Sequence, residues 1–231
     1  MSAVERHLDF ELSRAKEELI RMASLAESAI GLAVKALVSR DAEMARQVIA
    51  SDDAVNALEI EIDELCLRTM ALYQPEARDL RFLAMAKVDN DLERMGDQAV
   101  NIAERTLELL KEPLLKLLID IPRMAEVAQG MVKDSLDAFV QQDAVKARAV
   151  CRRDDEVDRY DDQIFRELLT YMMEDPRAIT RSVNLILVSR HLERIADHAT
   201  NIAEDVICFV EGKTIKHHVT SPATKRYPAR T

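Results

Sequence analysis

The chain has little of what sheets and disulfide scaffolds are built from. Four glycines, six prolines and 4% aromatic residues leave few turn formers and little material for packing one strand on another. Its three cysteines, Cys66, Cys151 and Cys208, are odd in number, widely spaced and free of any CxxC pair. That pattern excludes a disulfide framework or a zinc finger and points to a reducing, cytoplasmic setting. Basic residues are in deficit, and a net charge of −10 argues against nucleic-acid binding, which needs a cationic surface to release phosphate counterions. The amino-terminal segment MSAVERHLDFELSRAKEEL is charged from its start and lacks the apolar core of a signal peptide. The most apolar stretch, near Ala29–Val38, is interrupted by Lys35 and reads as too short to span a bilayer, so contact with a membrane is expected only through partners. Catalytic signatures are missing too: there is no Gly-rich phosphate loop, no G-x-S-x-G, no HExxH and no Glu-x-x-His. The last absence counts against a ferritin-like di-iron oxidase, and no catalytic nucleophile stands out.

What the chain does have is a repeat. Residues 89–104 read DNDLERMGDQAVNIAE and residues 189–204 read SRHLERIADHATNIAE. Leu92/Leu192, Glu93/Glu193, Arg94/Arg194, Asp97/Asp197, Ala99/Ala199 and the closing Asn-Ile-Ala-Glu coincide without a gap. Upstream, Asp41-Ala42 matches Asp143-Ala144, Asp52-Asp53 matches Asp154-Asp155, and Met22, Ala26 and Ala36 fall on Met124, Ala128 and Ala138. Two copies of one structural unit follow, and such repeats decide the architecture before any local reading does.

Ala, Leu, Glu, Arg and Met are abundant, and the spacing of apolar residues is helical throughout. One helix is expected over about Leu8–Val38, and a second, capped by Asp41, to about Tyr73. A third should start at Pro75, where the missing N–H costs nothing in a first turn, and run to about Lys111. The second half repeats the plan: about Pro122–Val140, then from the Asp143 cap to about Met173, then from Pro176 to near Gly212. Short connections make neighbouring helices antiparallel. The expected fold is therefore all-α, with two tandem, pseudo-symmetric three-helix bundles over residues 1–112 and 113–212. Residues 213–231 carry no periodicity and read as a flexible tail.

On a helical wheel Glu93, Asp97, Asn101 and Glu104 share an arc of about 80° beside the apolar stripe, and Glu193, Asp197, Asn201 and Glu204 do the same. Carboxylates stacked at i and i+4 repel, so a chain that repeats the pair must compensate it with cations, either arginines or metal. Oxygen-rich sites suit Mg, Mn, Ca or iron. Acidic runs on the preceding helices favour metal, though a ladder that only pairs with arginines stays open. Asn56 stands opposite Asp158, a lost charge that should weaken the first site. His191 and His198 flank the second motif and read as exposed polar-face residues, because Asp91 and Gln98 occupy their places in the first.

The segments ALYQPEARDLRFLAMAKVDNDLERMGDQAVNIAE (71–104) and ELLTYMMEDPRAITRSVNLILVSRHLERIADHATNIAEDV (167–206) resemble the two signature regions of the PhoU family, and the similarity spans essentially residues 1–211. The resemblance implies two symmetric three-helix bundles and a regulator, not an enzyme. It implies a cytoplasmic protein that restrains phosphate uptake and represses phosphate-starvation signalling. The partners it implies are the ATPase subunit of the phosphate transporter and a phosphate-sensing histidine kinase, with a homodimer as the common assembly. It also implies metal ions, iron or other divalent cations in multinuclear clusters, on E/DxxxD motifs that map here onto Glu93/Asp97 and Glu193/Asp197. Asp53 with Asn56 and Asp155 with Asp158 are the neighbouring acids carried over. The alternatives are a metal-free helical adaptor or a regulator of a different phosphate carrier.

Overall fold

The computed structural model describes residues 3–73 and 80–212. Six α-helices make up nearly all of it: α1 (Ala3–Ser39), α2 (Ala42–Tyr73), α3 (Leu80–Leu109), α4 (Asp120–Gln141), α5 (Ala144–Glu174) and α6 (Ile179–Glu211). A 3-10 turn, Pro176–Ala178, leads into α6. The proline start expected at Pro75 and the tail lie outside the described residues.

The two α–α turns within the halves are built alike. Arg40 and Gln142, both at φ 55°, end α1 and α4 in the left-handed region, and Asp41 and Asp143 follow them. Asp41 Oδ1 accepts from Glu43 N (2.8 Å) and Met44 N (3.1 Å). Asp143 Oδ1 accepts from Val145 N (2.9 Å) and Lys146 N (3.0 Å), so both caps satisfy first-turn donors. Asp175 does the same for Arg177 N ahead of the last helix. Gly212, at φ 66°, closes α6.

Helices α1, α2 and α3 pack on one another, as do α4, α5 and α6, while α3 against α6 and α1 against α4 join the halves. The repeat is visible inside: Met22/Met124, Val55/Val157, Ile62/Ile164, Leu92/Leu192 and Ile102/Ile202 are all buried in one continuous core. α1 is longer than the sequence reading gives, and more apolar. An 18-residue window of mean hydropathy at least 1.2 lies within His7–Ser39, where Ala29–Val38 alone had seemed the apolar part. Packing explains that apolarity, since α1 meets α2, α3 and α4, and Ala15, Leu19, Met22, Ala26, Ile30, Ala33 and Leu37 are buried. By length and composition it is the one described helix that could cross a membrane.

Candidate functional site: an acidic cleft on the pseudo-dyad

The two signature segments face each other. Side-chain pairs cross between α3 and α6, among them Lys87 with Asp205 (3.0 Å), Asp91 with His198 (2.8 Å), Gln98 with His191 (2.8 Å) and Arg105 with Asn184 (3.4 Å). Numbers rise on one helix as they fall on the other, so the helices run antiparallel. Asp91 and His191 are equivalent in the repeat, as are Gln98 and His198. Each position therefore meets its counterpart's partner, which is how a twofold interface pairs residues, here within one chain.

The histidines are consequently not exposed polar-face residues. His198 and Asp91 each keep only 15% of their side-chain surface. Burial, with Arg194 and Arg105 nearby, pushes His191 down to about 4, so its ring is neutral at pH 7. Facing the Gln98 carbonyl oxygen, it needs the tautomer with the proton on Nδ1. No periodicity signalled these contacts. The only clue in the sequence was reciprocal: a His in one copy wherever the other copy has an acceptor.

Beside this seam lies an open cleft of about 1120 Å³. Its walls include Glu93, Asp97, Asp154, Asp197, Glu204 and Asp205, against the cations Lys87, Arg94 and Arg194. Acid outweighs base, so the cleft favours cationic ligands or partners.

The acids sort into two sets, each shared by two helices of a half. In the first, burial raises Glu93 above the usual carboxylate range, and Asp97, Glu59 and Asp52 add to the effect. Asp97 is raised by burial and by Asp52. In the second, burial and then Asp197 raise Glu193, with Asp161 and Asp158 contributing, while burial and then Asp158 raise Asp197. Arg190 relieves the second set, reaching Asp161 at 3.0 Å and Glu193 at 3.7 Å. Asn90 replaces it in the first.

Asp53 and Asp155 are exposed, and the half-buried neighbours Asp52 and Asp154 turn inward instead. Helical phase explains this: Asp52 is about 60° from the buried Val55, whereas Asp53 is about 160° away. Asn56 is in the first set and gives its amide to Asp52 (3.0 Å). Its Oδ1 is buried without a hydrogen-bond partner. Asn101 is half-buried, while Asn201 is exposed and lines the cleft, its amide 3.4 Å from Asp91.

Donor chemistry in both sets fits a cation that prefers oxygen: carboxylates that raise one another, and in the first set an orphaned amide oxygen. As placed, no three His, Cys, Asp or Glu side chains among the described residues converge on a point that could hold a metal ion.

Comparison with known proteins places this arrangement. The chain matches the PhoU domain family twice, over residues 19–106 and 121–206. It is 49% identical over 208 residues to the phosphate-specific transport system accessory protein PhoU homolog of Aquifex aeolicus (strain VF5), covering 90% of this chain and 94% of that protein. A crystal structure of PhoU from Pseudomonas aeruginosa has a TM-score of 0.86 at 43% identity, covering 89% of this chain and 99% of the other. A crystal structure of the phosphate transport system regulatory protein PhoU from Streptococcus pneumoniae has a TM-score of 0.84 at 31% identity, covering 90% of this chain and 99% of the other.

Proposed function

This chain belongs to the PhoU family, and we propose that it is an accessory regulator of a phosphate-specific transport system. The observation that carries the proposal is the 49% identity, over nearly the full length of both chains, to a relative named for that role. In finer terms, the protein works in the cytoplasm as a homodimer and acts by docking, not by turnover. It holds the transporter's ATPase subunit and a phosphate-sensing histidine kinase in their restrained states when phosphate is plentiful. The reading is supported by a helical frame capped at Asp41 and Asp143, with a charged cleft beside its pseudo-dyad. Removing the gene should leave phosphate-starvation genes expressed in phosphate-rich medium, and supplying this chain should switch them off. A reporter that stays repressed without the gene would contradict the proposal.

We further propose that the two acidic sets hold divalent or iron cations. Glu93, Asp97, Asp52, Glu59 and the Asn56 oxygen would serve the first, and Glu193, Asp197, Asp158 and Asp161 the second. Bound cations would supply the positive charge that these facing carboxylates lack, tying α2 to α3 and α5 to α6. Replacing Glu193 and Asp197 together by alanine should lower the metal content of purified protein, read by elemental analysis, with helicity unchanged by circular dichroism. Unchanged metal content would show that these are not the ligands.

A further inference from the structure

Two apolar grooves lie at opposite ends of the α3–α6 seam, and the repeat relates them. One is lined by Leu37, Thr106, Leu109 and Leu185, the other by Phe139, Val206, Phe209 and Met85. Each residue of the first set is the repeat partner of one in the second, 102 positions apart between α1 and α4 and 100 between α3 and α6. The grooves differ in how far they are filled. About 20 Å³ stays open in the first and about 130 Å³ in the second. The first is closed by the segment that follows α3, which brings Leu114, Leu115 and Leu118 into it. In the second, α1 supplies Leu12 and Lys16, which stand 102 positions before Leu114 and Leu118. Two of the three closing side chains therefore have a counterpart. Leu115 has none: it is half-buried against the core, whereas Ser13, 102 positions before it, is exposed and does not line the groove. The space that remains suits one large apolar side chain, being close to the roughly 150 Å³ that admits benzene.

The missing side chain can be read from the other offset. Counting 100 positions on from Leu115, as α3 is counted onto α6, gives Ile215. The two segments read EPLLKLLI (112–119) and GKTIKHHV (212–219), with Lys116/Lys216 identical and Leu115/Ile215 and Ile119/Val219 apolar in both. Geometry allows the match. Gly212, at φ 66°, turns the chain off the end of α6, and Phe209 and Val210, both part-exposed, form the near wall of the groove. Phe209 is about 4.5 Å of axial rise before Gly212. The three residues from Gly212 to Ile215 span up to about 10 Å, enough to return over that wall.

We propose that the groove between the ends of α4 and α6 is the docking site of the chain's own segment 213–219, with Ile215 as the buried anchor. The second half is then closed by the device that closes the first. Because α1 and α3 line the groove together with α4 and α6, the seated segment clamps the two halves at that end of the seam. The inference is independent of the transport role proposed above.

The test is methyl NMR on the full chain labelled at Ile, Leu and Val methyl groups, with the Ile215 signal assigned by its loss in Ile215→Ala. Nuclear Overhauser contacts from the Ile215 methyl to Leu12 on α1 and Val140 on α4 are expected. An Ile215 methyl at its random-coil shift, without those contacts, would overturn the proposal. Contacts that appear only between differently labelled chains in a mixed sample would give the groove to a second copy, and overturn it too. Thermal melts supply an independent readout. Ile215→Glu, which puts a charge where an apolar anchor should sit, should lower Tm, while Thr224→Glu, further along the chain, should leave it unchanged. An unchanged Tm for Ile215→Glu would contradict the anchor.

Discussion

Asp89 is the residue whose chemistry is least settled by its surroundings. It is 1% exposed, one of its oxygens accepts from Asn90 N at 2.6 Å, and the other is buried with no partner. Burial, with Asp63 and Glu59 adding to it, pushes its carboxyl up to about 8 from an ordinary 3.8. The folded protein therefore holds a proton there that the unfolded chain releases. Its contribution to stability is complete below about pH 4 and is lost as pH rises through 8. Ser189, at the equivalent place, gives its hydroxyl to Asp161 at 2.8 Å and carries no charge. Asp89→Ser should raise stability at pH 8 by about 1–3 kcal/mol, the usual cost of an unsatisfied buried polar group. The gain should shrink toward pH 4, and urea melts at the two pH values check both. The sequence offered Asp89 as one acid in an acidic run. What separates it from Glu93 is the depth at which α2 covers α3, and spacing along one helix does not report depth. Asp52 is different: its phase relative to Val55 and Leu58 was readable, and the doubled Asp52-Asp53 masked it.

At the scale of the elements, the chain announced itself well. Caps at Asp41 and Asp143, the restart at Pro176 and the stop at Gly212 all fall where turn chemistry places them. Each is a local device, legible because its cause lies within a few residues. The left-handed residues are less obvious, since Arg40 and Gln142 sit where glycine is commonest. Arg40 also acts at a distance, because its guanidinium donates to Glu112 O at 2.7 Å and pins the end of the first half. Among the described residues, no hydrogen bond from the Gln142 side chain compensates in the same way. Gln142→Gly should therefore stabilise the protein by about 0.5–1 kcal/mol, and Asp143→Ala should cost about 1 kcal/mol through loss of the cap. Thermal melts would register opposite shifts in Tm from neighbouring residues of one turn. Equal shifts would mean that the turn is not what limits α4 and α5.

For the whole molecule, the repeat predicted two like halves but not how they meet. The α3–α6 crossing joins residues about a hundred positions apart, and no local pattern encodes it. Only the reciprocal exchange of Asp91/His198 with Gln98/His191 hinted that the two motifs face each other. That meeting turns two separate acidic ladders into the walls of one cleft, with Arg94 and Arg194 in both walls and the acidic sets on either side. The role proposed above is that of a regulator that meets a phosphate transporter and a phosphate-sensing kinase. The most direct test of that account is affinity capture of this protein, at native level, from membranes and cytoplasm of phosphate-replete cells. Recovery of the ATPase subunit of the phosphate transporter or of the phosphate-sensing kinase is the predicted result. Capture of neither, from cells in which starvation genes are repressed, would contradict it.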